Sequence, residues 1–188
     1  MLAWLPHSVD RIVAVGAGTG RLTLDLVRLA REVVAIEPAA PLRDILSRKL
    51  ARAAQGCRAG VTPGFFDELP VGDNVADLVV ACSAFTPAPG HGGAAGLAEM
   101  ERVCSPGGPV VIVWPNNVRW LKAHGYGYVS FPGEMFVEFG SVQEAAELSE
   151  IFYPKAAAAV RRSGLRRVPY DTLGINPPRD LSFKVMAG

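Results

Sequence analysis

The chain has 188 residues, 49% of them hydrophobic and 20% charged, the balance of a single soluble globular domain with a sizeable core. Its formal net charge of +1 makes no demand for nucleic acid or an anionic membrane, and no apolar run approaches the length of a membrane span. Cys57, Cys82 and Cys104 form no C-x-x-C pair, which argues against a disulfide framework or a metal site, and Met1 to Pro6 is too short and too uncharged for a signal peptide, so a cytoplasmic protein is expected.

Arg11 to Val15 is a β-branched apolar run that stops at Gly16, Gly18 and Gly20. It reads as a buried strand and a tight turn of bare backbone. A helix is expected next, with Leu22, Leu26, Val27 and Leu29 on its buried stripe. Where such a turn meets a helix start, backbone N–H groups face outward and a ligand can approach closely. Val33 to Ile36 is strand 2 and ends on Glu37-Pro38. A helix follows from Pro41 to Gly56 through Leu42, Ile45, Leu46 and Leu50, and Cys57 to Val61 is a weak third strand.

Gly64 to Pro70 reads as a loop and Asp73-Asn74 as a turn. Asp77 to Cys82 is strand 4, Ala94 to Val103 a helix, and Val110 to Trp114 strand 5. Near-continuous apolar strands alternating with helices imply a parallel sheet covered on both faces, an α/β fold. The pattern then changes: residues 115–140 form an aromatic, glycine-rich insert within the single domain 1–188. Ser141 to Glu144 has capping-box form. Its helix is expected to break at Pro154, resume at Ala156 and end at Gly164. Leu165 to Tyr170 and Leu181 to Met186 read as two closing strands.

Spacing distinguishes the nucleotide ligands. A dinucleotide fingerprint, G-x-G-x-x-G, would place its third glycine at Arg21. The chain instead has G-x-G-x-G, with Glu37 at the end of strand 2 suited to a ribose diol. A nicotinamide-dependent oxidoreductase is therefore disfavoured.

On these residues the chain resembles the Rossmann-like, class I S-adenosylmethionine-dependent methyltransferases of the small-molecule branch. The glycine turn is similar to their first motif and Ala35-Ile36-Glu37-Pro38 to their second. Glu68-Leu69-Pro70 with Asp73 and Asp77 to Val80 resembles their approach to strand 4, and Glu99 to Gly108 their approach to strand 5. The resemblance spans Arg11 to Trp114. It implies a three-layer sandwich around a seven-stranded, mostly parallel sheet with an antiparallel last strand. It also implies S-adenosylmethionine as cofactor, held by Gly16, Ala17, Gly18, Gly20, Glu37 and Pro38, with the stretch from Cys82 and Ser83 to Phe85 at the sulfonium end.

Two departures stand out. The family's adenine-contacting acid corresponds here to Phe65, with Asp67 two residues on. That contact passes to Asp67, becomes ring packing on Phe65 or Phe66, or is lost. Only Met1 to Asp10 stands where the family has lid helices, which leaves the site open, closed by a partner chain, covered by the aromatic insert, or shortened by truncation.

The pattern gives no catalytic chemistry outright, because methyl transfer needs mainly alignment and, for some acceptors, a base. His124, among the aromatics after strand 5, is the candidate base ahead of His91 and the tyrosines of the insert, although an exposed loop histidine is the plainer reading of each histidine. Trp120, Tyr126, Tyr128 and Phe131 suggest an apolar pocket for a small-molecule acceptor, or equally a packed excursion or homodimer surface. Asn176-Pro177-Pro178 follows the wrong strand and lacks the aromatic of amino-group methyltransferases, so it reads as a turn. His91-Gly92-Gly93 has no G-x-S-x-G nucleophile elbow to serve. Arg161, Arg162, Arg166 and Arg167 read as a solvated helix end, not a nucleic-acid surface. The alternative function is a methyltransferase-like binding or structural protein without turnover.

Overall fold

The computed structural model describes residues 9–53 and 56–188, and the stretch Met1 to Pro6 lies outside them. The described residues form two compact units. One runs to Val129 and closes with Leu181–Gly188; the other is Ser130–Asp180.

The first unit follows the strand–helix alternation of its sequence. Its elements are β1 (Val9–Val15), α1 (Thr23–Leu26), β2 (Ala30–Ile36), α2 (Ala40–Ala53), β3 (Arg58–Thr62), β4 (Leu78–Cys82), α3 (Gly93–Val103), β5 (Pro109–Val113) and α4 (Val118–Ala123). β6 (Gly127–Ser130) and β9 (Asp180–Val185) complete a seven-stranded sheet in the order β3-β2-β1-β4-β5-β9-β6. β1 pairs parallel with β2 (Val13 opposite Val34) and with β4 (Val13 opposite Val79), whereas β9 runs antiparallel to β5 (Ser182 opposite Ile112). The expected sheet, mostly parallel with an antiparallel last strand, is present.

Strand alternation explains why these runs are apolar throughout. Val13, Val15, Val79, Ala81, Val110 and Ile112 pack in one cluster with Leu97, Met100 and Val103 of α3 and Leu121 of α4. Ile12, Leu78, Val80 and Val111 point the other way and are equally buried.

Three expectations need correction. The first helix is one turn long, because β2 begins at Ala30 opposite Val9 and the backbone N–H of Val9 donates to Leu29. Val27 and Leu29, which leucine spacing assigned to the helix, lie in the turn that leads into β2. Second, Leu165 to Tyr170 does not close the main sheet. Its β8 (Arg167–Pro169) pairs antiparallel with β7 (Phe136–Glu138) in a separate two-stranded sheet, and the main sheet draws its seventh strand, β6, from the expected insert. Third, residues 115–140 divide, with α4 in the first unit and β7 in the second.

The second unit adds α5 (Val142–Phe152), α6 (Ala157–Ser163) and α7 (Tyr170–Leu173). Phe139, Ala145, Val160, Val168 and Leu173 form its own core. Ser141 caps α5 by accepting from the Glu144 N–H at 3.0 Å, while the Glu144 carboxylate reaches back one residue further than a capping box requires, to Gly140 N–H. The helix breaks at Pro154 and α6 ends at Gly164 in a left-handed conformation, as the sequence implies.

Candidate functional site

β1 delivers the chain into the glycine turn at the carboxyl edge of the sheet. Gly16, Gly18 and Gly20 have φ of +65°, +56° and +91°. Side-chain-bearing residues adopt that region at a cost of roughly 1–2 kcal/mol. The three differ in what surrounds them. A Cβ on Gly16 would lie 2.6 Å from the Ala84 methyl and 3.2 Å from the Phe66 ring, and one on Gly20 would lie 2.4 Å from Leu46 Cδ1. A Cβ on Gly18 would meet nothing within 4 Å. The outer glycines make room for packing, and the middle one faces open space. Ala17, between them, donates its N–H to Ile36 O at 3.0 Å and ties the turn to β2.

Glu37 leaves β2 beside this turn and is 6% exposed. Its Oε2 accepts from Gly18 N–H at 2.8 Å and its Oε1 from Ala39 N–H at 2.9 Å. Each oxygen retains a second acceptor site. α2 secures both loops. Arg43 donates to the Glu37 and Pro38 carbonyls at 3.0 and 2.6 Å, Lys49 donates to Thr19 O at 2.9 Å, and Leu46 fills the space under Gly20. The sequence reading missed Arg43 and Lys49. Their three-residue spacing about Leu46 is the signal, since it puts all three near one face of the helix.

The next strands end in the same way. Ser83 after β4 and Trp114 after β5 have φ of +57° and +54°, unusual for residues other than glycine. Ser83 N–H donates to Val113 O at 3.1 Å, joining the two ends. A cavity of about 70 Å³ lies where β1 and β4 part, walled by Gly16, Ala17, Arg21, Thr23, Cys82 and Ser83. A cavity of about 500 Å³ lined by Asp10, Arg28 and Asp77 lies at the amino ends of β1, β2 and β4, the opposite edge of the sheet from the glycine turn, and one of about 460 Å³ is lined by Phe152 and Leu173 of the second unit. Volume alone therefore does not select the site; the chemistry of its walls does.

Aromatic rings lead away from the turn. Phe66, which touches the Gly16 position, meets Phe85 edge to face at 5.4 Å; Phe85 approaches Trp120 at 6.2 Å, and Trp120 stacks on His124 at 3.9 Å. Gly92 and Gly96 of the α3 region admit these rings, since a Cβ on either would press on Phe85 or Phe66. His124 ends α4 with Nδ1 2.9 Å from Trp120 O. A carbonyl only accepts, so Nδ1 carries the hydrogen, and in the neutral ring Nε2 keeps a free lone pair.

Phe65 is 59% exposed and Asp67 is also exposed, so neither is committed to the core. Tyr126 does not line an acceptor pocket. It is 3% exposed, its hydroxyl donates to Glu101 Oε1 at 3.2 Å, and burial beside that carboxylate raises its pKa. Tyr128 lies near Lys122, whose Nζ is 5.5 Å from the ring centre. Among the described residues no three His, Cys, Asp or Glu side chains gather as metal ligands, and no helix is long and apolar enough to cross a membrane.

The strand order reverses between β1 and β4, and the glycine turn and acid stand at the carboxyl edge of that switch point. These features define an open α/β sheet with a crevice at its topological switch point, the place where such sheets bind ligands. A family model described as a methyltransferase domain matches residues 12–108, more than half of the chain, and the chain belongs to that family. An uncharacterized methyltransferase of Mycobacterium bovis is 31% identical over 126 residues, covering 64% of this chain and 47% of that protein. The chain thus spans about half the length of that relative. The YcgJ protein of Bacillus subtilis matches with a TM-score of 0.63 at 12% identity, covering 100% of this chain and 95% of that one. Phosphoethanolamine N-methyltransferase 1 of Haemonchus contortus, in complex with phosphoethanolamine and S-adenosylhomocysteine, matches with a TM-score of 0.52 at 21% identity, over 60% of this chain and 24% of that one. At those identities the likeness to solved structures is one of fold.

Proposed function

We propose that the protein binds S-adenosylmethionine over the glycine turn and directs its methyl group to a small-molecule acceptor. The observation that carries this reading is the open face of Gly18 beside a buried Glu37 carboxylate whose two oxygens keep spare acceptor sites. A ribose diol would satisfy those sites. The cavity of about 70 Å³ suits the methionyl end only, since a whole ligand of drug size needs roughly 300 Å³ or more. The nucleoside end would lie on the open side of Gly18, toward Phe65, Phe66 and Asp67. The exposed Phe65 ring offers a stacking face where the family has an acid. When bound, the cofactor supplies a methyl group activated by its sulfonium.

The chain's own residues orient and exclude water. Cys82 and Ser83 wall the inner cavity, and Phe66, packed against the Gly16 position, begins a line of rings that runs through Phe85 to Trp120 and offers apolar surface to an acceptor. His124 is assigned to accept a proton at Nε2 from acceptors that must lose one. A cytoplasmic location accompanies this reading, consistent with three free cysteines.

Calorimetric titration with S-adenosylmethionine and S-adenosylhomocysteine tests the proposal; no binding of either at high micromolar concentration overturns it. Glu37→Ala should weaken binding by about 1–3 kcal/mol through lost hydrogen bonds to a charged group. Cofactor binding with no methyl transfer to any acceptor tried would favour a binding protein without turnover.

A further inference from the structure

The glycine turn leads into a helix of only four residues, Thr23–Leu26. Few peptide dipoles align behind the turn, so the helix offers little positive potential to an anion. On the reading above, the methionyl end of the cofactor bears an α-carboxylate that must find a partner on leaving water. The inner cavity has room for a short aliphatic chain, and Arg21 is the only charged residue in its lining. Arg21 is exposed and pairs with no acid among the described residues. The other cations of these loops are committed: Arg43 to the Glu37 and Pro38 carbonyls, Lys49 to Thr19 O.

We propose that Arg21 is a specificity-determining residue whose guanidinium receives the carboxylate of the cofactor's amino-acid end. The assignment rests on the cofactor reading and deepens it. A guanidinium presents a planar fork of donors that fits a carboxylate through two parallel hydrogen bonds. Arg21 stands where a dinucleotide fold requires bare backbone against the helix. The same position thus disfavours a pyrophosphate and provides for an amino acid. The protein then selects its cofactor at both ends, by ribose at Glu37 and by carboxylate at Arg21.

S-adenosylhomocysteine and 5′-methylthioadenosine separate the two ends, because the second keeps the nucleoside and sulfur but lacks the amino-acid chain. Calorimetry with both ligands on the wild type, Arg21→Gln and Arg21→Lys provides the test, with thermal unfolding confirming that each variant is folded. Arg21→Gln should bind S-adenosylhomocysteine roughly 10- to 100-fold more weakly, with methylthioadenosine affinity unchanged within about twofold. Arg21→Lys should recover part of the loss. If Arg21→Gln leaves S-adenosylhomocysteine binding intact, or weakens both ligands equally, the assignment is overturned while the cofactor reading stands. If the wild type binds neither ligand, the cofactor reading itself falls, and this assignment with it.

Discussion

The outer glycines of the turn are fixed by packing neighbours and the middle one faces open space, which separates binding from folding at the level of single residues. An alanine methyl at Gly18 enters open space and carries only the left-handed backbone penalty, roughly 1–2 kcal/mol. Gly18→Ala should therefore fold, with a modestly lowered Tm, yet lose S-adenosylhomocysteine affinity at least tenfold because the methyl stands where the ligand must lie. Gly20→Ala adds a 2.4 Å approach to Leu46 Cδ1 to the same backbone strain, so its loss should be about 2–4 kcal/mol in chemical denaturation. Equal stabilities for the two variants would show that Leu46 yields at no cost. The sequence makes all three glycines visible but not their division of labour, which depends on Ala84, Phe66 and Leu46 from distant parts of the chain. Glu37 was legible as a candidate site residue at the end of β2. Its bonds to Gly18 and Ala39 N–H were not, because the same carboxylate also organises the loop it serves.

At the level of elements, parallel strands and their helices were readable because burial on both faces makes each run apolar, and β1, β4 and β5 carry that signature plainly. Pairing between short strands was not. β7 and β8 are three residues each, too short for alternation to specify a partner. The charged staple between α3 and the β3–β4 connection was likewise seen only as a motif. Arg102 donates to both oxygens of Glu99, to Asp73 at 2.6 Å and to the Leu69 and Val71 carbonyls, while Glu99 also accepts from Leu69 N–H at 2.9 Å. It fastens the segment that follows Phe66. Hydrogen bonds from Arg102 hold the Glu99 carboxyl below the usual carboxylate range. A carboxyl whose folded pKa lies below its unfolded value, about 4.3, stabilises fully above that value and loses the contribution as pH falls through the folded pKa. Glu99→Gln should then cost about 1–2 kcal/mol at pH 7, and the gap to wild type should close on acidification below about pH 4. A gap independent of pH would show that shape, not charge, holds the staple.

Across the whole chain, the family match at residues 12–108 and the proposed cofactor contacts fall within the first unit, whereas Ser130–Asp180 has a core of its own. Cofactor binding and acceptor choice can therefore reside in different parts of the protein, and hydrogen exchange distinguishes them. S-adenosylhomocysteine at 100 times its Kd stabilises the binding-competent state by about 2.7 kcal/mol. Amides that exchange through unfolding of the first unit should slow, most clearly at the end of β1, the glycine turn, the start of α2 and the end of β4. Amides of α5 and α6 should be unaffected, since no residue assigned to the cofactor lies there. Protection spreading into α5 and α6 with S-adenosylhomocysteine alone would contradict that division. Protection appearing there only when an acceptor candidate is added would assign acceptor recognition to the second unit, whose apolar cavity of about 460 Å³ beside Phe152, Tyr153 and Leu173 has the volume of a small-molecule site.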